Sequence, residues 1–178
     1  SEERRADGRY RTWLAPRADY RCIDPGADPN PADIGIQMHL GMFLHDVDPV
    51  AAASLCRALQ AKADSDALWV YYRVAPLVVR WRLPELERLG CRLDVSPARL
   101  QSAVAGQQVW LDLVGLLARD TSDRNPQRHD QAVELLATLA RDHFAAVSSA
   151  PPLIYHNDLT AKVSRYYWSE EFGFALWL

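Results

Sequence analysis

The chain has no run approaching the roughly 18–20 consecutive apolar residues that a membrane-spanning helix needs, so no span is expected. It has no excess of positive charge. Twenty Lys and Arg stand against 23 Asp and Glu, for a net charge of −3, which gives no electrostatic drive toward nucleic acid or an anionic membrane. Lysine is almost missing, with Lys62 and Lys162 alone among the basic residues and arginine making up the rest. The arginines nearest the start (Arg4, Arg5, Arg9, Arg11) are interleaved with acids and read as a solvated lead-in. There is no G-x-G-x-x-G, P-loop, H-E-x-x-H, G-x-S-x-G or EF-hand loop, so no cofactor and no metal are expected. Cysteine is scarce and contains no C-x-x-C: Cys22, Cys56 and Cys91 form neither a zinc knuckle nor a redox motif. One disulfide with a free thiol and three reduced thiols are both open; the tendency of free cysteine to be buried favours the second. No signal peptide is visible as written. The cytoplasm is the expected compartment, with export left open because the chain begins at Ser1 and not at Met.

What is present is ordinary in bulk and specific in detail. Nearly half of the 178 residues are apolar (49%) and 24% are charged, enough for one domain with a full core. One device recurs. Asn30-Pro31, Asp48-Pro49, Ser96-Pro97 and Asn125-Pro126 each put a good helix-capping residue directly before proline. The cap oxygen accepts an orphan amide bond, and proline at the first helical position gives up no bond. Four such starts predict an all-α fold. An irregular arm, residues 1–29, precedes a single helical domain, residues 30–178.

The expected helices follow from these starts. The first runs from Pro31 to about His45 with Asp33 in its first turn, an apolar face of Ile36, Leu40, Phe43 and Leu44, and burial on most sides. The second runs from Pro49 to about Lys62 and folds back on the first as an αα-hairpin. Leu68–Arg82 mixes β-branched and aromatic residues with Pro76 and reads as a buried helix kinked at that proline. Gly90 is the natural stop. Ser96-Pro97 opens a short helix to about Ala105. Gln107–Ala118 is a helix with the face Trp110, Leu113, Val114 and Leu117, and Arg119–Arg124 is a loop. Pro126 to about Val147 is the clearest helix, with His129 and His143 on its stripe.

The last 25 residues carry seven of the seventeen aromatics, among them Tyr155, Tyr166, Tyr167, Trp168 and Trp177. They are expected to begin irregular and end as a helix from about Ser169. Such a stretch either closes a core or walls a binding site.

Short-turn helical hairpins, with Y-R-T-W-L (Tyr10–Leu14) early and Y-Y-W-S-E-E-F-G-F-A-L-W-L (Tyr166–Leu178) late, resemble repeats of α/α-toroid proteins. These are the terpenoid-cyclase and prenyltransferase-like toroids and the six-hairpin glycosidases. The resemblance touches about a quarter of the chain and implies antiparallel hairpins in a partial α/α toroid, since the chain is too short for a six-hairpin ring. It implies no reaction, because such folds host unrelated functions.

The chemistry candidates each have a plain structural reading beside them. His45-Asp46-Val47-Asp48 resembles the aspartate-rich acid motif of cyclising terpenoid enzymes, but Pro49 stands where that motif carries another aspartate. Capping explains Asp48 equally well. His156 beside Asp158 has the makings of a general acid–base pair, or of an Asx-type turn. Tyr71, Tyr72 and Arg73 with Arg80 suit an anionic pocket, or an edge where arginine pairs with Asp66 or Glu85. His39 reads as a satisfied core histidine. The expected function is a non-catalytic helical accessory subunit that docks on another protein, with Trp69, Tyr72, Arg73, Tyr155, Tyr167 and Trp168 as the binding residues. The alternative is a toroid-type enzyme or ligand-binding domain with an aromatic pocket, served by His156 and Asp158 or by Asp46 and Asp48.

Overall fold

A computed structural model describes residues 4–13, 30–123, 125–156 and 165–178. Its elements run α1 (Ile34–Val47), α2 (Pro49–Gln60), α3 (Leu77–Arg88), a short 3-10 turn (Pro97–Leu100), α4 (Gln108–Asp123), α5 (Pro126–Arg141), α6 (Ala145–Ser149), β1 (Leu153–His156), β2 (Tyr166–Trp168) and α7 (Glu170–Trp177). The all-α class holds. The one sheet among the described residues is the antiparallel pair β1–β2, which sequence periodicity does not announce.

Two of the four proline-coupled caps work as expected. Asp48 accepts from Ala51 N at 3.0 Å and starts α2, and Asn125 accepts from Gln127 N at 3.0 Å and starts α5. The other two differ. Asp33, not Asn30, caps α1. Asn30 is instead buried and grips the N-terminal arm, accepting from Trp13 N and donating to Trp13 O. Ser96 makes no cap bond, and the helix after it is a single 3-10 turn. α4 continues to Asp123, through most of the predicted loop. The kinked helix at Leu68–Arg82 is also not formed. Residues 70–74 are a bend, and Pro76 stands at the start of α3 rather than inside it, where its missing N–H costs nothing. α5 stops at Arg141 because His143 and Phe144 adopt left-handed backbone, with φ of 50° and 58°. That conformation costs about 1–2 kcal/mol per residue. It turns the Phe144 ring onto Phe174 and Trp177, at centroid distances of 5.5 and 5.2 Å. His143 therefore leaves the α5 stripe. Gly90, with φ 85°, ends α3 as predicted, and Ser169 caps α7 through Phe172 N at 3.0 Å.

Two apolar clusters share α3 as their common wall. One gathers Ile34 and Met38 of α1, Leu55 and Leu59 of α2, Trp69, and Val79 and Leu86 of α3. The other gathers Leu77 of α3, Trp110, Leu113 and Val114 of α4, Leu139 of α5 and Val147 of α6, with Trp81 and Phe172 against it. The predicted α4 face is buried as expected. The predicted apolar face of α1 is only partly buried: Ile36, Leu40 and Leu44 are half-buried, while Phe43 is 62% exposed. His39 is likewise at the surface and not in the core. In the lead-in, Arg9 is buried and fastened to Asp7, whose carboxyl its guanidinium holds down at about 2.

Buried side-chain amides fasten the non-helical segments. Gln37 on α1 accepts from Tyr10 N and donates to Tyr10 O, both at 2.8 Å. Gln107, just before α4, donates to Pro151 O at 3.0 Å and accepts from Leu153 N at 2.7 Å. Trp110 Nε1 adds a bond to Ala150 O at 2.7 Å.

The expectation of reduced thiols is overturned. Cys56 of α2 is bonded to Cys91, just after α3, across a separation of 35 residues. The fold brings the two together because Gly90 turns the chain back onto α2; Cys22 lies outside the described residues. Closing a loop of this length stabilises by about 3–4 kcal/mol. Reduction, or a Cys56→Ser/Cys91→Ser double substitution, is therefore expected to lower the urea-unfolding free energy by about that amount. Gln107→Leu is expected to cost about 2–4 kcal/mol in the same assay, because it strands the buried Leu153 N–H and the part-buried Pro151 C=O.

Candidate functional site

The polar and aromatic groups that the sequence singles out converge where the N-terminus of α1 meets residues 70–74 and β1. Asp33 is fully buried there. One carboxylate oxygen accepts from Gly35 N at 3.0 Å and the other from Tyr71 N at 3.0 Å. The carboxylate thus caps the helix and holds a neighbouring segment at once. Ile34 N donates to Leu68 O at 2.7 Å beside it. The Tyr72 ring packs against Gly35, where any Cβ would overlap it. That contact requires a glycine on α1.

β1 joins this junction through its histidine. His156 N donates to Tyr71 O at 3.1 Å, and His156 Nε2 accepts from Val74 N at 3.4 Å. The ring is fully buried. Its Nε2 lone pair is engaged by the backbone, so it does not offer that nitrogen as a base. Asp158 and Asn157 lie outside the described residues. Tyr155, one residue earlier, stacks on Tyr167 of β2 at 4.2 Å with the planes 15° apart. Tyr72, Tyr155 and Tyr167 therefore form a short aromatic series leading from buried Asp33 to the surface.

Electrostatics follow this burial. Removal from water raises the Asp33 carboxyl to about 7, against which the backbone amide donors act in the opposite sense. Burial pushes the Tyr72 phenol well above its ordinary value, and the Asp33 charge adds to that. Burial raises Tyr155 too, with Tyr167 contributing. Partial desolvation, with Arg82 nearby, lowers His39 at the surface.

The remaining candidates lie apart from this junction. Trp69 is a core residue whose Nε1 donates to Ala63 O at 2.7 Å. Arg73 pairs with Asp66 at 3.0 Å, as the edge reading expected, while Glu85 is taken by Arg82 at 2.7 Å, an arginine outside that reading. Arg80 pairs instead with Asp112 at 3.2 Å. Asp46 and Asp48 sit in the exposed α1–α2 joint, Asp46 beside His45 Nδ1 at 3.0 Å and Asp48 as the α2 cap. Trp168 is at the surface, stacked near Tyr166 at 6.0 Å. Among the described residues no group of His, Cys, Asp and Glu is placed to hold a metal ion.

Sequence reasoning placed Asp33 in the first turn of α1 and missed that it is the cap and holds Tyr71. Its signal was present: an Asx residue two before Gly35, at the head of an apolar run. The proline at position 31 drew the cap three residues too early. Comparison with protein-family models, with curated proteins and with solved structures finds no match.

Because the fold binds the Asp33 proton more tightly than the unfolded chain does, stability falls as pH rises between the unfolded and folded values, about 4 and about 7. The loss is expected to approach about 4 kcal/mol across that window. Asp33→Asn carries no titratable proton there, so its urea-unfolding free energy is expected to lack this slope. A wild-type curve parallel to that of the variant would contradict the assignment.

Proposed function

We propose that this chain is a helical accessory subunit that docks on another protein through its C-terminal aromatic surface. The observation that carries the reading is β2. All three of its side chains are exposed: Tyr166 44%, Tyr167 40% and Trp168 45%. Side chains alternate between the two faces of a strand, so both faces of the ribbon present aromatic surface. The outer edge of β2 has no strand beside it among the described residues. Exposed Phe174 and Trp177 of α7 extend the aromatic surface toward the C-terminal end. Tyr and Trp are the residues on which interface energetics concentrate, and a two-stranded ribbon gains stability when a partner covers it.

The arrangement of the helices is part of the same proposal. α1 packs on α2, α3 on α4 and α4 on α5, as consecutive hairpins of a partial α/α toroid would. The Cys56–Cys91 bond fits an oxidising compartment. No helix among the described residues is long and apolar enough to cross a membrane.

One observation favours a second reading, a toroid-type small-molecule site: the convergence of Tyr72, Tyr155 and Tyr167 on buried Asp33. Of the polar groups first considered for such a site, His156 reaches this junction, while Asp46 and Asp48 stand at the α1–α2 joint.

A native mass measurement on the species from its source, with a photo-crosslinker at position 168 or at position 50 on exposed α2, separates the readings. The docking reading expects a second polypeptide in the particle, crosslinked from position 168 and not from position 50. Tyr166→Ser/Trp168→Ser is expected to weaken that complex by at least about tenfold while leaving the melting temperature of the free chain within about 2 °C. A monomer at 20.1 kDa that melts higher with an apolar ligand, and is indifferent to the double substitution, would favour the second reading.

A further inference from the structure

The bend at residues 70–74 is held from three directions before β1 reaches it. Asp33 accepts from Tyr71 N at 3.0 Å, Ser102 Oγ donates to Val74 O, and Arg73 pairs with Asp66 at 3.0 Å. The C-terminal end of β1 is then fastened to this fixed bend by two bonds, and His156 makes both. Its N donates to Tyr71 O at 3.1 Å, and its Nε2 accepts from Val74 N at 3.4 Å. The other end of β1 is held independently. Gln107 accepts from Leu153 N at 2.7 Å, and Ser169 N donates to Pro152 O at 3.1 Å. If His156 lets go, the bend therefore stays and the end of β1 moves, pivoting on Gln107. β1 carries Tyr155, stacked on Tyr167 of β2, so the aromatic ribbon moves with it.

The chemistry of the ring makes this attachment sensitive to protons. An imidazole that accepts at Nε2 is neutral and carries its proton on Nδ1. A second proton has only Nε2 to go to, the nitrogen already facing an N–H. In the imidazolium both nitrogens are donors, so whatever group Nδ1 meets, Nε2–H and Val74 N–H stand donor to donor and the bond is lost. The ring is also fully buried, and burial disfavours a cation. The groups around it do not offset that. Tyr71 and Tyr72 of the bend, Tyr155 beside it and Tyr166 of β2, at a centroid distance of 6.0 Å, are phenols, which are neutral in the range where imidazole titrates. Arg73 is paired with Asp66. Asp33, on the other side of Tyr71, has its carboxyl raised by burial to about 7, so it loses its charge as the solution is acidified. Asp158 and Lys162 lie outside the described residues.

We propose that His156 is a proton-operated latch on the aromatic ribbon: neutral, it holds the end of β1 against residues 70–74, and protonated, it releases it. Control of docking by this latch rests on the docking reading above; the latch itself does not. The released form binds the extra proton and the held form does not, so release grows as pH falls through the ordinary imidazole value of about 6.5, by about tenfold at pH about 5.5. Native-state hydrogen exchange on the full chain, corrected for intrinsic exchange and compared at pH about 7.5 and about 5.5, reads this directly. Protection of the Val74 and His156 amides is expected to fall about tenfold relative to the amides of α4, while ring ¹⁵N shifts report a proton arriving on Nε2 over the same range. His156→Gln offers an amide oxygen to Val74 N at either pH and is expected to remove the step. Asp33→Asn is expected to keep it, which separates the latch from the titration of Asp33. A complex with a partner from the source is expected to weaken on acidification in the wild type and not in His156→Gln. Failure to find any partner would remove the docking reading and leave the exchange result to decide the latch. Protection unchanged by pH, a ring that stays neutral while protection falls, or an equal fall in His156→Gln would overturn the latch whether or not a partner binds.

Discussion

Every buried backbone N–H and C=O must find a partner, and in this chain much of the buried backbone is neither helix nor sheet. That constraint organises the molecule. Where the arm passes α1, the amide of Gln37 supplies the donor and acceptor that a neighbouring strand would have supplied. Gln107 does the same for the chain entering β1. The Asp33 carboxylate caps its own helix and holds Tyr71. These side chains sit at the ends or on the flanks of helices, so each locks an irregular segment to a rigid one. Unpaired, each would leave a buried amide costing about 1–3 kcal/mol.

With the irregular segments held, α3 becomes the wall between two cores. Val79 and Leu86 face α1 and α2, while Leu77 and Trp81 face α4 and α7. A helix used on two sides leaves little of itself for solvent. Of its residues only Glu87 and Arg88, in its last turn, are exposed, and half-buried Arg80 pairs with Asp112 of α4. The Cys56–Cys91 bond fastens the far end of α3 to α2, so the first core is closed covalently as well as by packing.

The polar groups that first suggested catalysis are largely engaged in holding the fold. Asp48 is a cap, His156 Nε2 takes a backbone amide, and Arg73 answers Asp66. What remains exposed is aromatic area on β2 and α7, at Tyr166, Tyr167, Trp168, Phe174 and Trp177.

The sequence by itself determined the local events. The caps at Asp48, Asn125 and Ser169, the stop at Gly90 and the buried face of α4 depend on residues within about four positions of one another, where a single hydrogen bond or helical period decides. The all-α class follows from their number. Only the tertiary structure decided that Asp33, and not Asn30, caps α1, since that depends on Trp13 and Tyr71. It also decided that residues 70–74 bend rather than coil, that Phe144 breaks α5 to meet Trp177, and that Tyr155 pairs with Tyr167. The partners of Cys56 and Gln107 lie 35 and 46 residues away. No local pattern encodes such pairings, because their free energy exists only once the intervening chain has closed.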